Sequence, residues 1–246
     1  MYKREHHNYI NQILQSLDSD MLQKSDCYFG GGTAISLMLN EYRESVDIDF
    51  LCGTNEGYSF LMEHAFDGLR SFFKTPTKFV REPKIGRDAV RMVIDVNDIP
   101  IKFEIIRSGK ASLKGGINPQ FGVPTLSREE LFSEKLLANA SRGLDRAFLS
   151  RDIIDLGMMI AGWKHIPEVS WLSAFSQFKS QTVKKFNSSI SLIENNEYFK
   201  RCLDKMQIND SLSSVILDTL HKEQSFIPEL VQESIQKTDK AIKIKR

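Results

Sequence analysis

The segment VDIDFL, residues 46–51, alternates strictly between apolar and acidic positions. As a strand it directs Asp47 and Asp49 to one face and Val46, Ile48 and Phe50 to the core. Carboxylates about 7 Å apart along one strand can share two divalent cations lying ~4 Å from each other. Magnesium suits such a pair, because it takes a few hard carboxylate oxygens together with substrate phosphates. Taken alone, D-x-D is more often the acidic outer face of an exposed strand than a metal site.

A third acid comes from IPIKFEIIR, residues 99–107, where Ile101, Phe103 and Ile105 form one face and Lys102, Glu104 and Ile106 the other. Glu104 could complete a metal site or take the proton from an attacking hydroxyl; it could also be simply solvated. Asp95, on the neighbouring strand, competes for the same role. Upstream, CYFGGGTAISLML packs three glycines between an expected strand and an expected helix. If Gly31, Gly32 and Thr33 open that helix, their backbone N–H groups form an anion site, and glycine lets a phosphate approach the main chain. The pattern is neither G-x-G-x-x-G nor a Walker loop, and a plain strand-to-helix turn is the alternative.

The elements that must position these residues follow from periodicity. Helical spacing of Ile10, Ile13, Leu14, Leu17 and Leu22 predicts one helix over residues 5–24. Then come the strand CYFG, a helix capped by Thr33 and running to about Tyr42, the strand 46–51, and a helical stretch over 58–73. AVRMVIDV and IPIKFEIIR read as two strands joined by an Asn97-Asp98 turn. Residues 108–125, rich in glycine and proline, read as a loop or linker. Beyond them the pattern is helical throughout, beginning at a capping box made by Ser127 and Glu130. The expected architecture is α+β: a small mixed sheet flanked by helices over residues 1–125, then an all-helical module over 126–246.

Composition narrows the classes. At 246 residues the chain can bury a real core, and its net charge of +1 gives no global case for nucleic-acid binding. The three cysteines, Cys27, Cys52 and Cys202, are scattered, which argues against a disulfide framework or zinc ribbon and fits a reducing cytoplasm. The histidines, including the pair His6-His7, have no metal-ligand spacing. The N-terminus lacks the apolar region of a signal peptide, and no apolar stretch is long enough to span a bilayer. The basic end, KTDKAIKIKR, reads as a solvated or frayed tail.

In order along the chain, GGTA, YRES and DIDF, residues 31–50, place the anion turn, Arg43, Ser45 and the paired aspartates in one strand–helix–strand unit. This order resembles the DNA polymerase β-like nucleotidyltransferases, and more narrowly the AbiEii/AbiGii toxins among them. The narrower family carries a lysine, an arginine and R-D-x-x-D-L in its helical part, and EKLLANASRGLDRAFLSRDIIDL, residues 134–156, is similar. Lys135 and Arg142 lie on one helical face, as do Asp152 and Asp155. The resemblance implies that Lys135 reaches the triphosphate and that Asp152 or Asp155 positions that lysine or the acceptor. Solvated helices with surface charge pairs are the alternative for the same residues. The additional arginines, Arg146 and Arg151, leave open which one matches the family arginine.

Together these residues point to a Mg²⁺-dependent nucleotidyltransferase moving a nucleoside monophosphate from an NTP to an acceptor hydroxyl. Asp47 and Asp49 would hold metal, with Glu104 as ligand or base. Gly31, Gly32, Thr33, Arg43, Ser45, Lys135 and Arg142 would hold the nucleotide. The resemblance implies the toxin of a toxin–antitoxin or phage-defence system, with tRNA or a protein as acceptor and an antitoxin encoded nearby. The rivals are a small-molecule nucleotidyltransferase of the antibiotic-modifying kind and a non-catalytic nucleotide-binding protein of the same fold.

Overall fold

The computed structural model describes residues 1–110, 112–229 and 231. The chain divides between Ser127 and Arg128 into two compact units. The basic tail singled out above lies outside the described residues.

In the first unit the predicted long helix is two: α1 (Glu5–Ser16) and α2 (Ser19–Lys24). Leu17 leaves the helix in an extended conformation, is fully buried, and pairs as an isolated bridge with Phe73. Asp18 then caps α2, its carboxylate accepting from the N–H groups of Asp20 and Met21. Apolar spacing runs unbroken across this joint, but a cap residue offers the backbone a competing set of bonds.

Strand β1 (Cys27–Gly30) leads into α3 (Gly31–Met38), and β2 (Asp47–Cys52) follows. Helix α3 stops four residues before Tyr42, because Asn40 and Glu41 both adopt left-handed backbone angles. Thr33 is not the cap: Gly30 occupies that position and Thr33 sits inside the first turn. Val46 is not a core residue either; it precedes the strand and is exposed.

The stretch expected to be helical over 58–73 contains α4 (Asn55–Glu63) and two short 3-10 turns. Left-handed Gly68 and Leu69 separate those turns. Strands β3 (Phe79–Ile85), β4 (Ala89–Val96) and β5 (Ile99–Arg107) follow, and Asn97 and Asp98, both with positive φ, close the tight β4–β5 hairpin.

Residues 108–125 are more than a linker. They hold β6 (Gly115–Asn118), and with Leu126 they complete β7 (Val123–Leu126). The sheet has seven strands in the order β3-β4-β5-β2-β1-β7-β6. It is mixed: β2 runs parallel to β5 and β1 to β7, while the other neighbours are antiparallel. On the edge strand β6, Gly115 serves close approach rather than flexibility. A Cβ on Gly115 would strike the Thr125 carbonyl and lie 2.6 Å from the Tyr28 ring.

The core face of the sheet carries a row of phenylalanines from adjacent strands. Phe29 and Phe50 have ring centroids 5.6 Å apart, and Phe50 and Phe103 are stacked at 5.4 Å. Strand alternation therefore commits Asp47, Asp49 and Glu104 to the opposite face.

Among the described residues the second unit is helical: α5 (Arg128–Arg142), α6 (Arg151–Trp163), α7 (Glu168–Phe178), α8 (Gln181–Ile193), α9 (Asn196–Lys205) and α10 (Leu212–Gln224). Helix α5 packs against α6, α7 and α8, and Trp171 meets Phe186 edge-on at 5.1 Å in the core. Among the described residues no helix is long and apolar enough to cross a membrane.

Candidate active site

In the first unit, the strand register builds the candidate site. Asp49 stands opposite Gly30 of β1 and directly beside Glu104 of β5, while Asp47 stands beside Lys102. Burial along β2 alternates, with Ile48, Phe50 and Cys52 fully buried and the two aspartates partly exposed. The Lys102 ammonium lies 4.0 Å from Asp47 Oδ1, and Arg91 Nε donates to Glu104 Oε1 at 2.9 Å. Asp95 is elsewhere: it pairs with Pro100 at the far end of the hairpin, and its carboxylate lies 3.3 Å from Lys78 Nζ. Of the two acids left open by the sequence, Glu104 is the one beside Asp49.

The glycine turn closes tightly over this strand. Gly31 has φ +68°, and a Cβ there would lie 2.6 Å from Asp49 Oδ2. A Cβ on Gly32 would collide with the guanidinium of Arg43, which is itself buried. Thr33 is buried too, and its hydroxyl lies within hydrogen-bond reach of the Asp47 carbonyl and, at 2.8 Å, of Ser45 Oγ. Helix start, arginine, serine and carboxylate strand are thus one connected piece. The oxygens of Asp47, Asp49 and Glu104 are hard donors of the type magnesium takes. Among the described residues no three His, Cys, Asp or Glu side chains converge into a ready-made metal cage.

In the second unit, α5 and α6 bring Lys135, Arg142, Asp152 and Asp155 together. Lys135 Nζ lies 3.0 Å from Asp152 Oδ1 and 2.6 Å from Asp155 Oδ2. Arg142 donates to both Asp152 oxygens, at 2.7 and 3.0 Å. These are not solvated surface pairs: Lys135 is 6% exposed, Asp152 1% and Asp155 0%. Burial by itself would raise the Asp152 pKa, but the two cations outweigh it and hold the carboxyl far below its ordinary range. Arg142 is the arginine bonded to Asp152, whereas Arg151 lies over Phe148 and Arg146 over Tyr198.

Sequence reasoning passed over His6, His7, Glu41 and Arg91. Each acts across dozens of residues or from a neighbouring strand: His7 Nδ1 bonds Glu41 at 2.8 Å, 34 residues away. Among sequence signals only the adjacency of the two histidines marked the first pair.

The family model described as nucleotidyl transferase AbiEii toxin, type IV toxin–antitoxin system, matches residues 12–221, a span that includes the glycine turn, the aspartate strand and the Lys135 network. Two crystal structures share the fold. One is a proposed nucleotidyltransferase from H. pylori, with TM-score 0.52, 18% identity and 96% of each chain covered. The other is JHP933 from Helicobacter pylori, with TM-score 0.52, 18% identity and 99% of each chain covered. No curated protein matches the chain. With most of its length matched by the family model, the chain belongs to the AbiEii nucleotidyltransferase toxins of type IV toxin–antitoxin systems.

Proposed function

We propose that this nucleotidyltransferase, with Mg²⁺, moves a nucleoside monophosphate from an NTP to a hydroxyl on tRNA or a protein, acting as the toxin of a toxin–antitoxin or phage-defence pair in the cytoplasm. The observation that carries the reading is Asp49, set between the glycine turn and Glu104 on the polar face of the sheet. In the reaction the acceptor oxygen bonds to the α-phosphorus, the α–β phosphoanhydride bond breaks, and pyrophosphate leaves.

Asp47 and Asp49 would hold the cation, which when bound supplies Lewis-acid neutralisation of phosphate charge. Glu104 is assigned as a further ligand or as the base for the acceptor proton. The N–H groups of Gly31, Gly32 and Thr33 at the start of α3 would receive the leaving phosphates, with Arg43 and Ser45 beside them. Lys135 and Arg142 are assigned to nucleotide charge, and Asp152 and Asp155 to fixing the lysine. The transfer domain would end at Ser127, two residues past the expected 125, so that β7 stays whole, and the helices from Arg128 onward would be the partner domain. The antitoxin, encoded nearby, need not bind this chain directly.

Mass analysis of tRNA from cells expressing the chain tests the acceptor. Added nucleoside monophosphate with the wild type and none with Asp47→Asn supports tRNA. Unmodified tRNA alongside labelled protein assigns the protein acceptor, and label on an added aminoglycoside would move the chain to the small-molecule class.

A further inference from the structure

The loop between α3 and β2, residues 39–46, has no regular hydrogen-bond ladder, yet side chains bond its main chain at Arg43, Glu44, Ser45 and Val46 in succession. Ser36 Oγ donates to the Arg43 carbonyl at 2.6 Å, and Arg43 Nη1 donates to the Glu44 carbonyl at 2.8 Å. The Ser45 N–H donates to His7 Nε2 at 3.2 Å. His6 Nε2 lies 3.0 Å from the Val46 carbonyl. The Thr33 hydroxyl reaches the carbonyl of Asp47 itself. Two of these side chains, His6 and His7, come from α1, more than thirty residues earlier.

His7 is held in its turn. It is fully buried, and its Nδ1 lies 2.8 Å from Glu41 Oε1. The same carboxylate accepts the main-chain N–H of Lys3 at 2.7 Å and of Arg4 at 3.0 Å. Because Nε2 accepts the Ser45 N–H it carries a lone pair, which leaves the proton on Nδ1 facing Glu41 and the ring neutral; burial, ahead of the opposing pull of Glu41, lowers the His7 pKa in the same direction. Glu41 reaches this position through a left-handed backbone, which a non-glycine residue keeps only where its surroundings enforce it.

We infer that His7, oriented by Glu41 and assisted by His6, is a positioning residue for nucleotidyl transfer: it pins the loop that presents Arg43 and Ser45 over the glycine turn and fixes the entry to Asp47. The inference rests on the transfer reading above. It needs no metal at the histidines, and it gives the N-terminal helix a part in the site. A loop held this way is ordered before substrate arrives, so less ordering is left for the binding step.

Hydrogen exchange and transfer kinetics on the same full-length samples test it. In His7→Ala the amides of residues 43–47 are expected to exchange at least tenfold faster, with the β4–β5 hairpin unchanged, and kcat to fall at least tenfold. His7→Gln, which keeps an acceptor for the Ser45 N–H, is expected to stay within threefold of wild type. Unchanged loop exchange or unchanged kcat in His7→Ala overturns the inference, and so does equal damage from Gln and Ala, which would mean packing alone. If His7→Ala does not fold, His6→Ala on the partly exposed neighbour decides, with loop exchange expected to rise at least threefold and no rise overturning the pin. A wild type that transfers nothing sinks the transfer reading, while loop exchange still decides the pin.

Discussion

Gly31 and Asp49 compete for one space: a Cβ on residue 31 would lie 2.6 Å from Asp49 Oδ2. The glycine therefore does two things, taking a φ of +68° and letting a helix start sit directly on the carboxylate strand. Gly31→Ala is expected to cost about 1–2 kcal/mol of stability from the left-handed backbone. It should also displace the Asp49 carboxylate, so transfer falls far more than stability does. Thermal unfolding beside a transfer assay checks this; equal activity in a folded Gly31→Ala would separate the turn from the chemistry.

Lys135 is the buried cation shared by Asp152 and Asp155. Removing one member of a buried charge group costs about 3–5 kcal/mol, since the charge left behind remains desolvated. Lys135→Ala should unfold at clearly lower denaturant, whereas Lys135→Ala with Asp155→Asn should recover part of the loss. Urea titrations of both variants measure the coupling.

The same network sets an acid limit. The Asp152 carboxyl, despite its burial, is held far below the ordinary range by Lys135 and Arg142. A group whose folded pKa is depressed contributes stability above its unfolded value, about 4, and that contribution disappears as pH falls below it. Unfolding free energy should therefore drop between about pH 5 and pH 2, and the drop should shrink in Asp152→Asn. A profile with the same slope in both proteins would contradict the assignment.

Glu223 runs the opposite way. Burial raises its pKa, against the pull of His165 and the Ile166 N–H, so the folded state favours the protonated acid. Stability from this group is complete at low pH and is lost as pH rises through the raised value. Glu223→Gln keeps an acceptor for Ile166 and is expected to gain stability relative to wild type at pH 8 but not at pH 4.

Arg91 holds Glu104 at 2.9 Å on the exposed sheet face. If Glu104 serves the cation, Arg91 competes with it, and Arg91→Ala should lower the Mg²⁺ concentration giving half-maximal transfer by a few-fold. If Glu104 acts only as a base, that concentration stays put and the pH profile of kcat moves instead.

The parts of the site that could be read from sequence are local. D-x-D on an alternating strand fixes which face carries Asp47 and Asp49, and helical spacing places Lys135 with Arg142. What could not be read depends on distant neighbours. Asp95 competes with the preferred Glu104 in the sequence, and only the β2–β5 register shows that Glu104 is the one beside Asp49. The edge pair β6–β7 was hidden because glycine and proline signal a linker and an edge strand alike. The division of α1 from α2 turned on Leu17 pairing with Phe73, and His7 acquired a role only through Glu41 and Ser45.

The most direct measurement is transfer of label from α-labelled NTPs to total cell RNA or lysate, in Mg²⁺, by the wild type and by the Asp47→Asn, Asp49→Asn double variant. The expected result is labelled acceptor with the wild type, at least a hundredfold less with the folded double variant, and loss of transfer when EDTA removes the cation. Equal labelling by wild type and double variant, or no labelling by a folded wild type with any NTP, would contradict nucleotidyl transfer at the aspartate strand.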